Sequence, residues 1–313
     1  MGQKRILKLL FSFLIMCAIS FFFFRAFQKN WIAIESHDLK FKAHFAFMSF
    51  ASMMLSYLLT SYAWFLTINR LSENNKMTFP ETIAVVNTSG LTKYIPGKIW
   101  SYALQMYWLV KSGFPKSLIL YVNALNIFVS LISATMLGLV FLVFSPGNIP
   151  LSIILPFLLF VLIFDGAVIS FGPKLFNRFI LLVNKFFNRD IQYYNTPTNL
   201  FVCLHAVHSA SAFCFGMGAY YLCIGIGLDV SHGRMFLVMS ALMISDAIGF
   251  LIFIVPGGLG VREGIMYFML QGASTGALSL ILPIATRIVS MLVDVCLGTL
   301  GFVLLKRLHN KHT

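Results

Sequence analysis

The residues best able to do chemistry sit at two turns built from glycine and proline. The richer turn reads Pro256-Gly257-Gly258-Leu259-Gly260-Val261-Arg262-Glu263-Gly264. A helix starting just past its glycines would present unsatisfied N–H groups and a positive dipole end, which suits an anion. Arg262 adds a permanent charge whose planar fork matches phosphate oxygens. Glu263 can orient the groups around Arg262, or the two can simply pair within the protein. The second turn is Tyr94-Ile95-Pro96-Gly97-Lys98-Ile99-Trp100, with Lys93 just before it. Lys98, immediately past the break, is the better candidate cation; Lys93 reads equally as a lysine that snorkels towards water. Tyr94 and Trp100 add rings with a polar edge. The candidate substrate-binding residues are therefore Lys98, Arg262, Glu263, Gly257, Gly258, Tyr94, Trp100 and, on a later segment, Arg287.

Other ionisable groups lie in apolar surroundings: Asp165, Asp246, Arg287 and Asp294. Arg287 and Asp294 are two helical turns apart, so they share a face without reaching each other. A pair between helices, such as Arg287 with Asp246, would serve structure and transport equally. His205 and His208 are spaced i, i+3 and share a face. They read as a hydrogen-bonded pair, with a proton relay as the functional alternative. No further ligand stands at a spacing that would complete a metal site, so no metal is expected. There is no GxSxG, HExxH or P-loop, and no repeated Asp cluster to hold magnesium. The expectation is a protein that is not an enzyme and needs no cofactor.

These groups must be positioned by elements made for lipid. Of 313 residues, 59% are hydrophobic and only 11% charged, with a mean hydropathy of +0.86. Soluble domains carry roughly a quarter charged residues. The net charge of +13 comes from short basic caps between apolar runs rather than from a basic stripe. Topology and anionic headgroups explain that pattern, and nucleic acid is not an expected partner. Cys17, Cys203, Cys214, Cys223 and Cys296 all lie in apolar runs without CxxC spacing and read as small buried hydrophobes.

Spanning helices are expected at about 6–27, 44–68, 117–144, 150–171, 199–225 and 277–305. The first has a basic start but an apolar run too long for a signal peptide, so a retained helix is expected. The apolar regions 80–111 and 235–272 are different, because each is broken midway by a Pro-Gly turn. Each side of each break is shorter than a comfortable span, which predicts two re-entrant hairpins of half-helices. Irregular backbone at membrane depth survives only where protein buries it or a wet cavity receives it.

The predicted fold is an all-α polytopic membrane bundle: about six full spans plus two Pro-Gly-broken re-entrant hairpins in two inverted halves. It forms a single membrane domain over 1–313, with half one at 1–148 and half two at 149–313. Each half runs span, span, hairpin, span, so three crossings per half invert the second. With both termini cytoplasmic, that side collects Lys4, Arg5, Lys8, Arg70, Lys76, Lys111, Lys116, Lys174, Arg178, Lys185, Arg189, Lys306, Arg307 and Lys311. The other side keeps Arg25, Lys29, Lys40, Lys42 and Arg234, which is the positive-inside sense. Between the halves, about 173–190 mixes Lys174, Arg178, Lys185 and Arg189 with Phe and Leu. It reads as an amphipathic helix lying in the inner headgroup region, with a solvated linker as the alternative.

At the two turns the chain resembles the lysylphosphatidylglycerol synthase transmembrane-region family of flippase-like membrane proteins. The motifs that carry the resemblance are Tyr94-Ile95-Pro96-Gly97-Lys98-Ile99-Trp100 and Pro256 to Gly264. It implies a helical membrane domain with re-entrant segments that translocates lipids. In bifunctional members this domain flips an aminoacylated phospholipid made by an attached cytosolic synthase, for which this sequence shows no counterpart. The expected function is thus a flippase- or scramblase-like transporter in the plasma membrane. Its substrate would be an anionic phospholipid or a lipid-linked precursor, and its partners envelope or glycan biosynthesis enzymes. The alternatives are an intramembrane transferase acting on a polyprenyl-phosphate-linked sugar, or a non-transporting partner of an envelope-glycan enzyme.

Overall fold

The computed structural model describes residues 41–94, 100–145, 151–187, 194–227, 234–252, 260–271 and 276–312, with Gln28, Gln192 and Gly258. All the regular structure among them is helical. In chain order the helices are α1 (Ala43–Leu71), α2 (Phe79–Gly90), a 3-10 turn (Leu91–Tyr94), α3 (Trp100–Lys111) and α4 (Lys116–Val143). There follow α5 (Leu151–Phe187), α6 (Thr198–Gly225), α7 (Met235–Leu251), α8 (Val261–Gln271) and α9 (Gly276–His312).

Among the described residues, five stretches are long and apolar enough to cross a membrane: Ala43–Leu71, Lys116–Val143, Ile154–Phe186, Thr198–Gly225 and Leu278–Arg307. A 28-residue helix such as α4 runs about 42 Å, against a hydrocarbon core of about 30 Å. They coincide with five of the six expected spans; the sixth, at 6–27, lies outside the described residues, as does Cys17. The two broken regions are pairs of short helices, α2 with α3 and α7 with α8, and the members of each pair pack together. The turn residues Ile95, Pro96, Gly97, Lys98, Ile99, Pro256, Gly257 and Leu259 lie outside the described residues.

Local chemistry fixes where the first pair begins and ends. Thr78 and Glu81 close a capping box at the start of α2, with Thr78 N donating to Glu81 Oε2 at 2.7 Å. Lys76 Nζ donates to the carbonyls of Asn69 and Ser72 at the end of α1. α3 stops at Gly113, whose φ of +84° only glycine adopts readily. Asn75 Nδ2 donates to Gly113 O at 2.9 Å, so the loop before α2 meets the loop after α3. The two ends of the first pair therefore lie together.

The span expected at 150–171 and the interfacial amphipathic helix expected at about 173–190 are continuous as far as described, because α5 runs unbroken from Leu151 to Phe187 through Pro156 and Pro173. Phe176 and Ile180, past Pro173, are fully buried in one cluster with Tyr121, Leu125, Phe201 and Leu204. Core packing therefore takes Phe176 and Ile180, while Leu175, Phe179, Leu181, Leu182 and Phe186 stay exposed. Gly172 makes room by meeting the Phe201 ring where any Cβ would clash.

Three of the bundle's closest interfaces use small residues, as membrane helices commonly do. α1 lies along α6, with Gly218 against Met53 and Gly225 against the backbone of Phe45 and Ala46. α2 packs on α9, where Gly298 receives Leu91 and Gly301 meets Ala84. α7 packs on α4, where Gly138 receives Ile244. Each leading short helix thus packs on the span that follows the other pair. The expectation that the thiols are buried holds for Cys223 but not for Cys203 and Cys296, which are exposed on their helices.

Candidate functional site

A cavity of about 400 Å³ opens where both short-helix pairs meet the middle of the bundle. α1 lends it Ser56, Tyr57, Thr60 and Ser61; α4 lends Ser130 and Ala134; α6 lends His208, Ser211 and Phe215; α9 lends Arg287, Ser290 and Asp294. These positions fall near the midpoints of four spans. Gly90, Lys93, Tyr94 and Tyr102 reach it from the first pair, and Asp246, Gly249, Gly258 and Arg262 from the second.

Backbone geometry explains how the second pair enters the site. Gly258 and Gly260 adopt φ of +67° and +78°, the left-handed region that glycine tolerates. A Cβ at Gly258 would stand 2.9 Å from Gly249 O, so a side chain there would force α7 and the turn apart. Glu263, at the third helical position of α8, accepts from Gly260 N at 2.5 Å. Its carboxylate therefore caps its own helix, and it is not among the cavity-lining residues. The anion expected at this helix end meets a terminus whose first donor is already engaged.

Among the described residues, three cations converge on the cavity, each facing an acid. Lys93 Nζ lies 2.8 and 2.7 Å from the two oxygens of Asp294, and Tyr94 OH donates to Asp294 Oδ2 at 2.5 Å. Lys93 also sits 5.2 Å from the centroid of the Tyr57 ring. Arg262 Nη1 pairs with Asp246 Oδ1 at 2.9 Å, and its guanidinium carbon lies 5.1 Å from the Phe215 centroid. Arg262 Nη2 is buried with no hydrogen-bond partner among the described residues. Arg287 Nε stands 3.9 Å from Glu263 Oε1, an ion pair too long for a hydrogen bond, and the guanidinium carbon is 5.6 Å from the Tyr94 centroid. Asp246 is 48% exposed, whereas Asp294 is 7% exposed. The pair most open to competition is therefore Arg262–Asp246.

Of the residues expected from sequence, the structure brings Arg262, Gly258, Tyr94 and Arg287 to one cavity and sets Glu263 beside it. Trp100 starts α3, is 48% exposed and does not line the cavity. Lys98 and Gly257 lie outside the described residues. Arg287 and Asp294 share the cavity face of α9, as their spacing requires, but Arg287 pairs with Glu263 while Asp246 takes Arg262. Lys93 is bound to Asp294 within the cavity. Sequence reasoning missed the hydroxyl wall of Ser56, Thr60, Ser61 and Ser211. Its signal was present, since polar residues at i, i+4 in the apolar α1 mark one face.

Five helices long and apolar enough to cross a membrane and two pairs of short helices, among the described residues, mark a multi-pass membrane protein with a cavity at mid-bundle. A family model described as the lysylphosphatidylglycerol synthase TM region matches residues 5–298. The chain belongs to that family, whose members are flippase-like membrane proteins. No curated protein matches the chain in sequence.

Proposed function

We propose that the protein is a flippase- or scramblase-like transporter that moves an anionic phospholipid or a lipid-linked precursor between leaflets, without covalent chemistry. The observation that carries this reading is the cavity where both broken helices meet, at the midpoints of four spans, with a buried guanidinium donor to spare. About 400 Å³ accommodates a polar headgroup while the acyl chains stay in lipid. A phosphate reaching Arg262 would satisfy Nη2 and compete with half-exposed Asp246 for the fork. Charged groups at this depth are costly and are kept mostly for function.

In this reading the two short pairs are re-entrant hairpins. The bond between Asn75 and Gly113 supports that for the first. The reciprocal contacts of α2 with α9 and α7 with α4 support two halves exchanged about a pseudo-two-fold, here taken as inverted. Both termini are then cytoplasmic and the membrane is the plasma membrane. The test is reorientation of headgroup-labelled lipids in proteoliposomes, read with a membrane-impermeant quencher. Phosphatidylglycerol, its aminoacylated form and a polyprenyl-phosphate sugar are compared. Protein-dependent quenching lost in Arg262→Ala is expected; no movement of any lipid by folded protein would reject the reading.

A further inference from the structure

Behind the cavity wall lies a second set of titratable groups that headgroup binding does not use. His205, on α6, is buried with both ring nitrogens engaged: Nδ1 with Ser133 Oγ at 3.0 Å and Nε2 with Asp165 Oδ2 at 3.3 Å. Asp165 Oδ1 is buried without a hydrogen-bond partner among the described residues. Asp165 belongs to the apolar span Ile154–Phe186, and its neighbours Leu162, Ile163 and Phe164 are exposed on the outer surface. Beside a neutral imidazole this cluster carries one net negative charge in a medium that disfavours it. One added proton gives an imidazolium facing a carboxylate, with no net charge. Proton binding therefore alters the charge at the junction of α4, α5 and α6.

This cluster is one residue layer from the cavity. His208, one turn along α6, lines the cavity and bonds Asn126 Oδ1 at 3.2 Å. Ser130 and Ala134, on either side of Ser133 in α4, line it as well. α5 packs on α4 and α6. α4 carries no charge between Lys116 and Val143, and the next charge along α5 is Lys174, more than two turns away. Around His208, the cavity's Tyr57, Lys93, Tyr94, Tyr102, Asp246, Arg262, Arg287 and Asp294 are the titratable and charged lining among the described residues. Asp246 and Asp294 face the permanent or lysine cations Arg262 and Lys93, whereas the partner of Asp165 is a histidine, whose charge depends on its proton.

We propose that Asp165, His205 and His208 form a proton-binding site connected to the cavity, and that its proton occupancy sets the rate of lipid reorientation. The second half of this statement rests on the transport reading above. The proton comes from the aqueous side facing the cavity, passes by way of His208, and rests on His205 against Asp165.

Two measurements on the full chain separate the claims. In nanodiscs with nitrogen-15 histidine, the His205 signal, assigned by its loss in His205→Gln, is followed from about pH 5 to about pH 9. A titration whose midpoint falls in Asp165→Asn, where the carboxylate no longer favours the imidazolium, is expected. A His205 signal that does not titrate, or that titrates identically in Asp165→Asn, overturns the site. In proteoliposomes, wild-type reorientation of labelled phosphatidylglycerol should vary several-fold with pH, and Asp165→Asn and His205→Gln should be flat. Equal pH profiles in wild type and variants overturn the coupling while leaving transport intact. Absence of reorientation in every protein rejects the transport reading and the coupling with it, and the nanodisc titration then decides the site alone.

Discussion

At the scale of residues, the site is a set of opposed charges held at different depths of burial. Asp246 is half exposed and holds Arg262 by one contact, so it is the acid a phosphate can displace. Asp246→Asn should tighten binding of an anionic headgroup by about tenfold, equivalent to about 1.4 kcal/mol, read by titrating labelled lipid into nanodiscs. Weaker binding would show that Asp246 orients Arg262 instead of competing for it. Asp294 behaves differently, because it is buried and serves Lys93 and Tyr94 together. Lys93→Ala leaves that carboxylate without its cation. Because the Lys93 side chain is itself 36% exposed, the loss should be about 1–2 kcal/mol, below that of a fully buried pair, visible as a lower thermal midpoint in detergent. Lys93→Arg should retain most of the stability.

At the scale of elements, stability rests on glycines that let helices and turns approach. Gly258 combines a left-handed φ with close approach to Gly249 O. Gly258→Ala should cost about 1–2 kcal/mol for conformation alone, with a further penalty for the clash. It should also displace Arg262 and slow transport beyond what the loss of stability explains. Gly301 is a different case, being helical and packed against Ala84 O at the contact of α2 with α9. Gly301→Leu should separate these helices and reduce the folded yield, while Gly264→Ala, with open space around it, should be tolerated. Thermal melts of the three variants side by side check this ordering. The continuity of α5 belongs to this scale too. Its charge pattern after Pro173 suggested an amphipathic helix in the headgroup region; that stretch continues the span before it, with Phe176 and Ile180 buried against α4 and α6.

At the scale of the molecule, the arrangement makes a topological prediction. With native cysteines replaced, single cysteines at Asn75 and Ser112 should label with an impermeant thiol reagent from one and the same side. Cysteines at 233 and 273, flanking the second pair, should label from the opposite side. Labelling of Asn75 and Ser112 from opposite sides would mean that the first pair spans, and the inverted-halves reading would fail.

The sequence by itself determined the solvent, the five described spans and the two breaks, because these follow from hydropathy summed over about twenty residues and from proline and glycine backbone chemistry. It also placed Arg262, Tyr94 and Arg287 in contention, since ionisable groups in apolar runs stand out without any fold. Pairing was decided only by tertiary structure. Arg287 takes Glu263 rather than Asp246, and Lys93 finds Asp294, because partners on different helices are chosen by how those helices pack. The same holds for the hydroxyl wall and for His205, whose partners Ser133 and Asp165 come from two other helices. Periodicity shows which side of a helix is polar, but the contacts of α1 with α6 and of the short helices with α4 and α9 decide what that side meets.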